Sequence, residues 1–198
     1  MNEHADPAPL HGLVLAGGQS RRMKQDKAYL AYDGQPQLRR AFDLLAPLVA
    51  RCFVSVRPQQ RDDPLRRTFP QIVDHLDDAG PAAGVLAALE SQPRAAWLVL
   101  ACDLPLLDAR TVSALISARA LDADATAYIS QHDGQPEPLC AIWEPSSRMP
   151  LAMAIERGER SLRRVLVELR VHAMTPERNA ALSNVNTPED VVHILSGQ

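Results

Sequence analysis

Short apolar runs alternate with longer amphipathic segments along most of this chain, and that alternation limits its fold more than any other feature of the sequence. The apolar runs have the length of β-strands. The segments between them repeat Leu, Val, Ile and Ala at spacings of three and four, as amphipathic helices do. A strand, a helix and a second strand in this order predict parallel strands joined by right-handed crossovers. We therefore predict an α/β fold in which a mostly parallel central sheet carries helices on both faces.

The predicted elements follow one another regularly, and the chain becomes more helical after about residue 145. In folds of this kind the ligand binds outside the carboxyl ends of the strands, so functional residues should directly follow strands. The predicted strands comprise residues 13–15, 52–56, 72–73, 97–101, 125–129 and 139–143, and the predicted helices comprise residues 37–48, 82–90, 111–121, 149–156, 162–169 and 188–195, with a short apolar segment at 171–174.

Length, charge and cysteine content narrow the possible functions. The 198 residues fit one domain, which we predict to begin at residue 12 after a flexible tail of residues 1–11. A net charge of -3 argues against sequence-independent nucleic-acid binding. No apolar run approaches the roughly 20 residues of a membrane span, so we expect a cytoplasmic protein that binds neither nucleic acid nor membrane. The three cysteines form no CxxC pair and are predicted to be buried free thiols.

A pair of glycines follows the first predicted strand, within the segment LAGGQSRRM of residues 15–23. Glycines let the backbone approach a ligand closely, and their N–H groups, together with Arg21, Arg22 and Lys27, attract phosphate. The segment matches neither the dinucleotide fingerprint GxGxxG nor the P-loop GxxxxGK[ST]. By composition alone, a triphosphate site and a plain tight turn with solvated arginines are equal alternatives.

Carboxylates follow two further predicted strands. Asp103 comes directly after the apolar run 97–101, and Asp74 ends the run QIVD. Mg²⁺ prefers one or two carboxylates together with substrate phosphates and water, so a single well-placed Asp103 is sufficient for a metal site. In the alternative interpretation, Asp103 caps the helix that begins near Asp108 or stabilises the turn before Pro105.

The segment SNVNTPED at residues 183–190 permits two compatible interpretations. Thr187 and Pro188 are typical of a helix start. Asn184 and Asn186 add amide oxygens that can complete a metal shell or hold an acceptor. The six histidines are dispersed without metal-ligand spacing, and no GxSxG segment indicates a hydrolase.

Three of these segments, in this order, resemble the family of MobA-type molybdenum cofactor guanylyltransferases. Residues 15–27, with the pattern LAGGxSxRMxxDK, are similar to the signature of that family, CDLP at 102–105 to its Cys-Asp-x-Pro segment, and NVNTP at 184–188 to its C-terminal motif. Lys24 replaces a glycine usual in the family and cannot adopt a positive φ as freely, so it either changes the loop or adds a phosphate contact. The resemblance implies a Rossmann-like nucleotide-binding fold of the nucleotide-diphospho-sugar transferase type.

The resemblance also implies a role for each matching residue. It makes Arg22, Lys27 and Asp103 catalytic, with Asp103 as the ligand of Mg²⁺, for which Mn²⁺ is an alternative. Asn184 and Asn186 bind the acceptor, while Arg160, Arg163 and Arg164 either meet an anionic pterin phosphate or form an exposed helix face. The nucleotide-binding residues are Leu15, Ala16, Gly17, Gly18, Lys27, Ser55, Asp74, Gly84 and Asp103.

The implied reaction transfers GMP from GTP to the terminal phosphate of molybdopterin and releases pyrophosphate. Residues 12–110 would bind the nucleotide and residues 111–198 the acceptor. Other molybdenum-cofactor biosynthesis proteins and molybdoenzyme apoproteins are expected as partners. Two alternatives stay open: a cytidylyltransferase of the same fold acting on molybdopterin or on a sugar or polyol phosphate, and a non-catalytic module that delivers cofactor to molybdoenzymes.

Overall fold

A computed structural model of the chain describes residues 7–16, 26–31, 34–76 and 79–183. Among these residues, seven strands form one sheet in the order β3-β2-β1-β4-β6-β5-β7. The strands are β1 (Leu10–Leu15), β2 (Cys52–Val56), β3 (Gln71–Val73), β4 (Ala96–Ala101), β5 (Ala125–Ile129), β6 (Pro136–Trp143) and β7 (Val171–Met174). The α-helices are α1 (Gln37–Leu45), α2 (Pro81–Ser91), α3 (Ala109–Ser117), α4 (Arg148–Glu156) and α5 (Leu162–Glu168).

The sheet is mostly parallel, which confirms the predicted fold class. β1 pairs in parallel with β2 and β4, β2 with β3, and β5 with β7. β6 is the exception and runs antiparallel to both β4 and β5. The connection between β5 and β6 is too short for a crossover, so these two strands can only form a hairpin.

Both faces of the sheet are covered by helices, as predicted. Leu13 belongs to the core cluster that includes residues of α2, α4 and α5, whereas Val14 belongs to the cluster that includes residues of α1 and α3. Successive residues of a strand point to opposite faces, so these are the two sides of the sheet. All six residues of β4 are buried. This strand therefore lies in the centre of the core.

Several element boundaries differ from the sequence prediction. The predicted helix 37–48 divides into α1 and a 3-10 helix, Ala46–Leu48, because Pro47 has no N–H to continue the α-helical pattern. The predicted helix 111–121 ends at Ser117, two residues before Arg119 turns to bind Glu144. The apolar segment 171–174 is strand β7, and the predicted helix 188–195 lies outside the described residues.

Two smaller predictions can also be compared with the structure. Cys52, Cys102 and Cys140 are buried and free, as predicted. No helix in the described ranges is both long enough and apolar enough to cross a membrane.

Candidate active site

The centre of the sheet contains a change of chain direction at which α/β proteins commonly bind ligands. From β1 the chain continues to β2 and β3 on one side, and then returns to place β4 on the other side of β1. The last residue of β1, Leu15, pairs with Ser55 of β2 and with Ala101 of β4, so these carboxyl ends are level. A ligand site is expected in the crevice between β1 and β4.

Lys27 and Asp103 meet at this crevice. Lys27 Nζ donates to Asp103 Oδ2 at 2.7 Å, although the two residues are 76 positions apart in the chain. Their side chains are only 19% and 18% exposed, so the ion pair is largely shielded from water. The structure thus brings together the two residues for which the sequence predicts phosphate binding and metal binding.

A short helix fixes the position of Lys27. The 3-10 helix Lys27–Tyr29 is capped by Asp26, whose carboxylate accepts a hydrogen bond of 3.0 Å from the Ala28 N–H. Asp26, the residue directly before Lys27, thereby anchors the first turn of this helix. The neighbouring side chain, Ala28, is buried and holds the helix against the core.

The second oxygen of the Asp103 carboxylate suits a cation. Oδ1 is buried and has no hydrogen-bond partner within the described part of the chain. Leaving such an oxygen without a partner costs about 1–3 kcal/mol, which a bound cation offsets. No cluster of three or more His, Cys, Asp or Glu capable of holding a metal occurs among the described residues. A site with one carboxylate is the kind that Mg²⁺ occupies when phosphates complete its shell.

Neighbouring groups exclude one alternative interpretation of Asp103 and define the state of the adjacent Cys102. The N-cap of α3 is Asp108, which accepts hydrogen bonds from Thr111, so Asp103 does not cap this helix. Burial raises the pKa of the adjacent Cys102 to about 12. The Cys102 thiol is therefore protonated at neutral pH.

Ser55 and Gly84 contact each other beside the crevice. Ser55 is 2% exposed and lies under Gly84, in the first turns of α2. A Cβ atom at Gly84 would meet the Ser55 hydroxyl, and it would also lie 2.9 Å from Cδ2 of Leu15. Glycine is needed here because α2 approaches the ends of β1 and β2 so closely. The predicted nucleotide contacts of Ser55 and Gly84 stay predictions.

Asp74 and Ala16 also lie at this edge of the sheet. Asp74 directly follows β3, is buried, and its N–H donates to the Val56 carbonyl at 3.0 Å. Ala16 directly follows β1 and is buried. Its carbonyl accepts a hydrogen bond from Arg66, a residue for which the sequence gives no functional signal. Five predicted site residues lie outside the described residues and stay predictions: Gly17, Gly18, Arg22, Asn184 and Asn186.

A cavity of about 690 Å³, separate from the crevice between β1 and β4, is lined by residues of the part of the chain predicted to bind the acceptor. Its lining includes residues 130–133 after β5, Arg163 of α5, and Ser183, the residue before Asn184. Arg163 donates to Asp133 at 2.7 Å and to Glu137 at 2.9 Å. Asp133 and Glu137 also line this cavity.

The three arginines considered as phosphate contacts differ in their surroundings. Arg163 is part of the cavity wall. Arg160 lies in a smaller neighbouring cavity of about 250 Å³. Arg164 is 78% exposed and pairs with Glu159, which is typical of a solvated helix face.

The mostly parallel sheet and the ion pair at the carboxyl ends of β1 and β4 define an α/β protein with a candidate ligand site at its strand ends. Residues 12–173 match the family described as the MobA-like NTP transferase domain. The chain belongs to this family and is a nucleotidyltransferase. Enzymes of the family depend on a divalent metal ion.

Individual relatives agree with this assignment. The chain is 37% identical over 182 residues to the molybdenum cofactor biosynthesis bifunctional protein of Synechocystis, covering 92% of this chain and 52% of that protein. It therefore spans about half the length of that relative. It is 36% identical over 195 residues to the probable molybdenum cofactor guanylyltransferase of Opitutus terrae, covering 94% of this chain and 95% of that protein.

A solved structure supports the fold. Molybdopterin-guanine dinucleotide biosynthesis protein A from Archaeoglobus fulgidus superposes with a TM-score of 0.80 at 24% identity, covering 95% of this chain and 100% of that one. At this identity the superposition establishes the shared architecture.

Proposed function

We propose that this protein transfers GMP from GTP to the terminal phosphate of molybdopterin, forming molybdopterin guanine dinucleotide and pyrophosphate. The observation that carries the proposal is the shielded contact of 2.7 Å between Lys27 and Asp103 in the crevice between β1 and β4. A cation and a carboxylate suited to a metal ion at one point are groups that phosphoryl transfer uses to stabilise the charge on the phosphates. The Opitutus relative, which matches over nearly its whole length, supports guanylyl transfer.

The reaction needs no general base because the attacking phosphate is already an anion. An acceptor phosphate oxygen forms a bond to the α-phosphorus of GTP, and the bond from that phosphorus to the β-phosphate oxygen breaks. Pyrophosphate leaves with the electron pair of the broken bond. Catalysis then consists of positioning the two phosphates and stabilising the charge that develops on their oxygens.

Lys27 and Asp103 have different tasks in this reaction. Lys27 donates to phosphate oxygens and stabilises their negative charge. Asp103 would hold the divalent ion, Mg²⁺ with Mn²⁺ as an alternative, through its carboxylate, of which Oδ1 is buried without a hydrogen-bond partner among the described residues. When bound, that ion supplies charge neutralisation to the phosphates. Arg22, together with the backbone of Gly17 and Gly18, is proposed to bind the remaining phosphate charge.

The acceptor is proposed to bind in the part of the chain after residue 110. The cavity lined by Arg163 and its two carboxylate partners, Asp133 and Glu137, borders Ser183. Asn184 and Asn186 follow Ser183 directly in the sequence and are proposed to complete the acceptor site. Residues 12–110 would then bind GTP, and Ser55, Asp74 and Gly84 would contact it.

A panel of nucleotides tests the proposal. The protein is incubated with Mg²⁺, molybdopterin and each of the four nucleoside triphosphates, and pyrophosphate release is measured. GTP should give the largest signal. A preference for CTP would replace guanylyl by cytidylyl transfer, and nucleotide binding without any pyrophosphate would favour the non-catalytic delivery module.

Asp103→Asn, with Asp108→Asn as a matched control, tests the metal site. Both changes remove one carboxylate charge, and asparagine is as good an N-cap as aspartate, so α3 should survive in the control. We expect Asp103→Asn to lower turnover by about 100-fold or more in limiting Mg²⁺, and Asp108→Asn to leave it near the wild-type rate. Equal turnover of the two variants would show that Asp103 is only a turn residue before Pro105.

A further inference from the structure

Arg66 is a fully buried cation that the proposed reaction does not use. Its side chain is 1% exposed, although arginine is almost never buried unless it is paired. It belongs to the 3-10 helix Arg66–Thr68, which lies between β2 and β3. The next residue, Arg67, is exposed. Only one of two adjacent arginines is thus turned into the protein.

The Arg66 guanidinium contacts two residues that stand on either side of residues 17–25, the stretch that contains the glycine pair. Nη2 donates to the Ala16 carbonyl at 2.6 Å, and Nε donates to the same oxygen at 3.2 Å. Nη2 also contacts the Asp26 carboxylate, at 2.9 Å from Oδ1 and 2.8 Å from Oδ2. Ala16 precedes residues 17–25 and Asp26 follows them. One planar group therefore binds both ends of the segment.

A second carboxylate holds Arg66 itself. Asp63 Oδ1 accepts from the Arg66 N–H at 2.9 Å and lies 3.4 Å from Nη1. Tyr29 donates its hydroxyl to Asp63 Oδ2 at 2.8 Å, which ties the far end of the Lys27–Tyr29 helix to the same network. Arg66 is thus fixed before any ligand arrives.

The network places one buried cation between two carboxylates, which favours the charged form of each group. Burial would lower the pKa of Arg66, but the hydrogen bond and charge of Asp26, followed by those of Asp63, raise it above its ordinary value. Burial would likewise raise the pKa of Asp63, but hydrogen bonds from the Arg66 N–H and the Tyr29 hydroxyl hold it below its ordinary value. The guanidinium stays charged between two carboxylates.

We propose that Arg66 is a positioning residue, which fixes Ala16 and Asp26 and, through Asp26, places Lys27 opposite Asp103. This inference rests on the proposed function, because it assigns Arg66 to the phosphate-binding part of that reaction. Asp26 connects the two tasks, since its carboxylate binds Arg66 and also caps the helix that begins at Lys27. The guanidinium acts without touching the substrate.

Lysine cannot replace arginine in this role. The two contacts to Ala16 and the contacts to Asp26 use separate N–H groups of one rigid planar fork. A lysine ammonium is a single charged point on a flexible stem, so it cannot hold both partners in one geometry. Arg66→Lys therefore keeps the positive charge but removes the joint contact with Ala16 and Asp26.

Arg119 provides a matched control. It is also a largely buried arginine, 12% exposed, that forks onto one carboxylate, Glu144, and donates to one backbone carbonyl, that of Ala8. Ala8 precedes β1, and Glu144 follows β6, which runs antiparallel to β4. Both partners therefore lie where β1 and β4 begin, at the end of the sheet opposite the crevice. Arg119→Lys should therefore cost stability without changing the site.

The test measures kcat, KM for GTP and the Kd of Mg²⁺·GTP at a temperature where Arg66→Lys and Arg119→Lys are both folded. We expect Arg66→Lys to lower kcat by about 100-fold, the effect of misplacing catalytic groups by about 1 Å, and to weaken GTP binding by at least about fivefold. Arg119→Lys should change each quantity by less than about twofold. Equal kinetics in the two variants would overturn the proposal.

The binding measurement separates this proposal from the proposed function. If the wild-type protein binds GTP but releases no pyrophosphate, guanylyl transfer is wrong, and the Kd values alone decide whether Arg66 positions the site. If the wild-type protein binds no nucleoside triphosphate, both proposals are wrong.

Asp26→Asn tests the same link should Arg66→Lys fail to fold. Asparagine retains an oxygen for the Ala28 N–H but turns an amide donor toward the Arg66 guanidinium. We expect a lower kcat, and in a folded double variant Arg66→Lys/Asp26→Asn a loss no greater than that of the worse single variant, because both changes break one coupling. Wild-type kcat in Asp26→Asn, or multiplied losses in the double variant, would contradict the role of Arg66.

Discussion

Gly84→Ala should destabilise this protein, although alanine is the better helix former. Gly84 lies inside α2, where an exposed glycine-to-alanine change gains about 1 kcal/mol. Here the added Cβ would lie 2.9 Å from Leu15 Cδ2 and 3.2 Å from Ser55 Cβ, and it would also collide with the Ser55 hydroxyl. The hydroxyl can rotate, but the Ser55 Cβ is fixed by the backbone of β2.

The magnitude follows from these opposing effects. Overpacking a buried contact costs about 1–3 kcal/mol, and the gain in helix propensity offsets about 1 kcal/mol of it. Because the Ser55 Cβ moves only with the backbone of β2, the added methyl group cannot be accommodated by side-chain rotation alone, and we take the upper half of the range. The expected net loss in the free energy of unfolding is about 1–2 kcal/mol.

Urea denaturation of four proteins measures this effect: wild type, Gly84→Ala, Ser55→Ala and the double variant. Ser55→Ala removes the hydroxyl that the new methyl group meets, so the double variant should recover about 0.5–1 kcal/mol relative to the sum of the single changes. An increase in stability for Gly84→Ala would refute the close packing of α2 on β1 and β2. Strict additivity of the two changes in the free energy of unfolding would also refute this packing.

Two further substitutions separate catalysis from stability. Lys27→Ala should lower pyrophosphate release by about 100-fold or more while changing the midpoint of thermal unfolding little, and equal losses of both would indicate a structural lysine. Asp108→Ala should lower the free energy of unfolding by about 1 kcal/mol at pH 7 through loss of the α3 cap. The hydrogen bond from the Thr111 N–H holds the pKa of Asp108 below its ordinary value of 3.8, so the cap stabilises the protein above that pH. Its contribution is lost as the pH falls through the lowered pKa, and urea denaturation should show the two proteins converging in acid; a constant difference would refute the cap.

Each strand that the sequence predicts contains at least one buried residue. β4 is a continuous apolar run because helices cover both of its faces, and such a run is evident in the sequence. β7 was not predicted because none of its four residues is buried, whereas β3, the other edge strand, has a buried Ile72. The direction of β6 could have been predicted, since the predicted strands 125–129 and 139–143 leave too few residues between them for a crossover.

Arg66 is a residue whose position beside the site could not be predicted from the sequence. In the segment LRRT at residues 65–68 its side chain is indistinguishable from that of Arg67, and two adjacent arginines ordinarily indicate a solvated surface. The difference arises only from contacts with residues 40 and 50 positions earlier, Asp26 and Ala16. Lys27 and Asp103 were predicted because each belongs to a local motif, whereas their mutual contact could not be.

The ion pair between Lys27 and Asp103 holds an ammonium group and a carboxylate at one point of the crevice, with Lys27 Nζ 2.7 Å from Asp103 Oδ2. In the proposed metal site, Asp103 would bind the ion through its other oxygen, Oδ1, which has no hydrogen-bond partner in the described ranges. The contact with Lys27 engages Oδ2, so the two proposed tasks of the carboxylate would fall on different oxygens. In the proposed reaction a single carboxylate would suffice, because the triphosphate would supply the remaining anionic ligands of the ion and Lys27 would compensate the charge that these add.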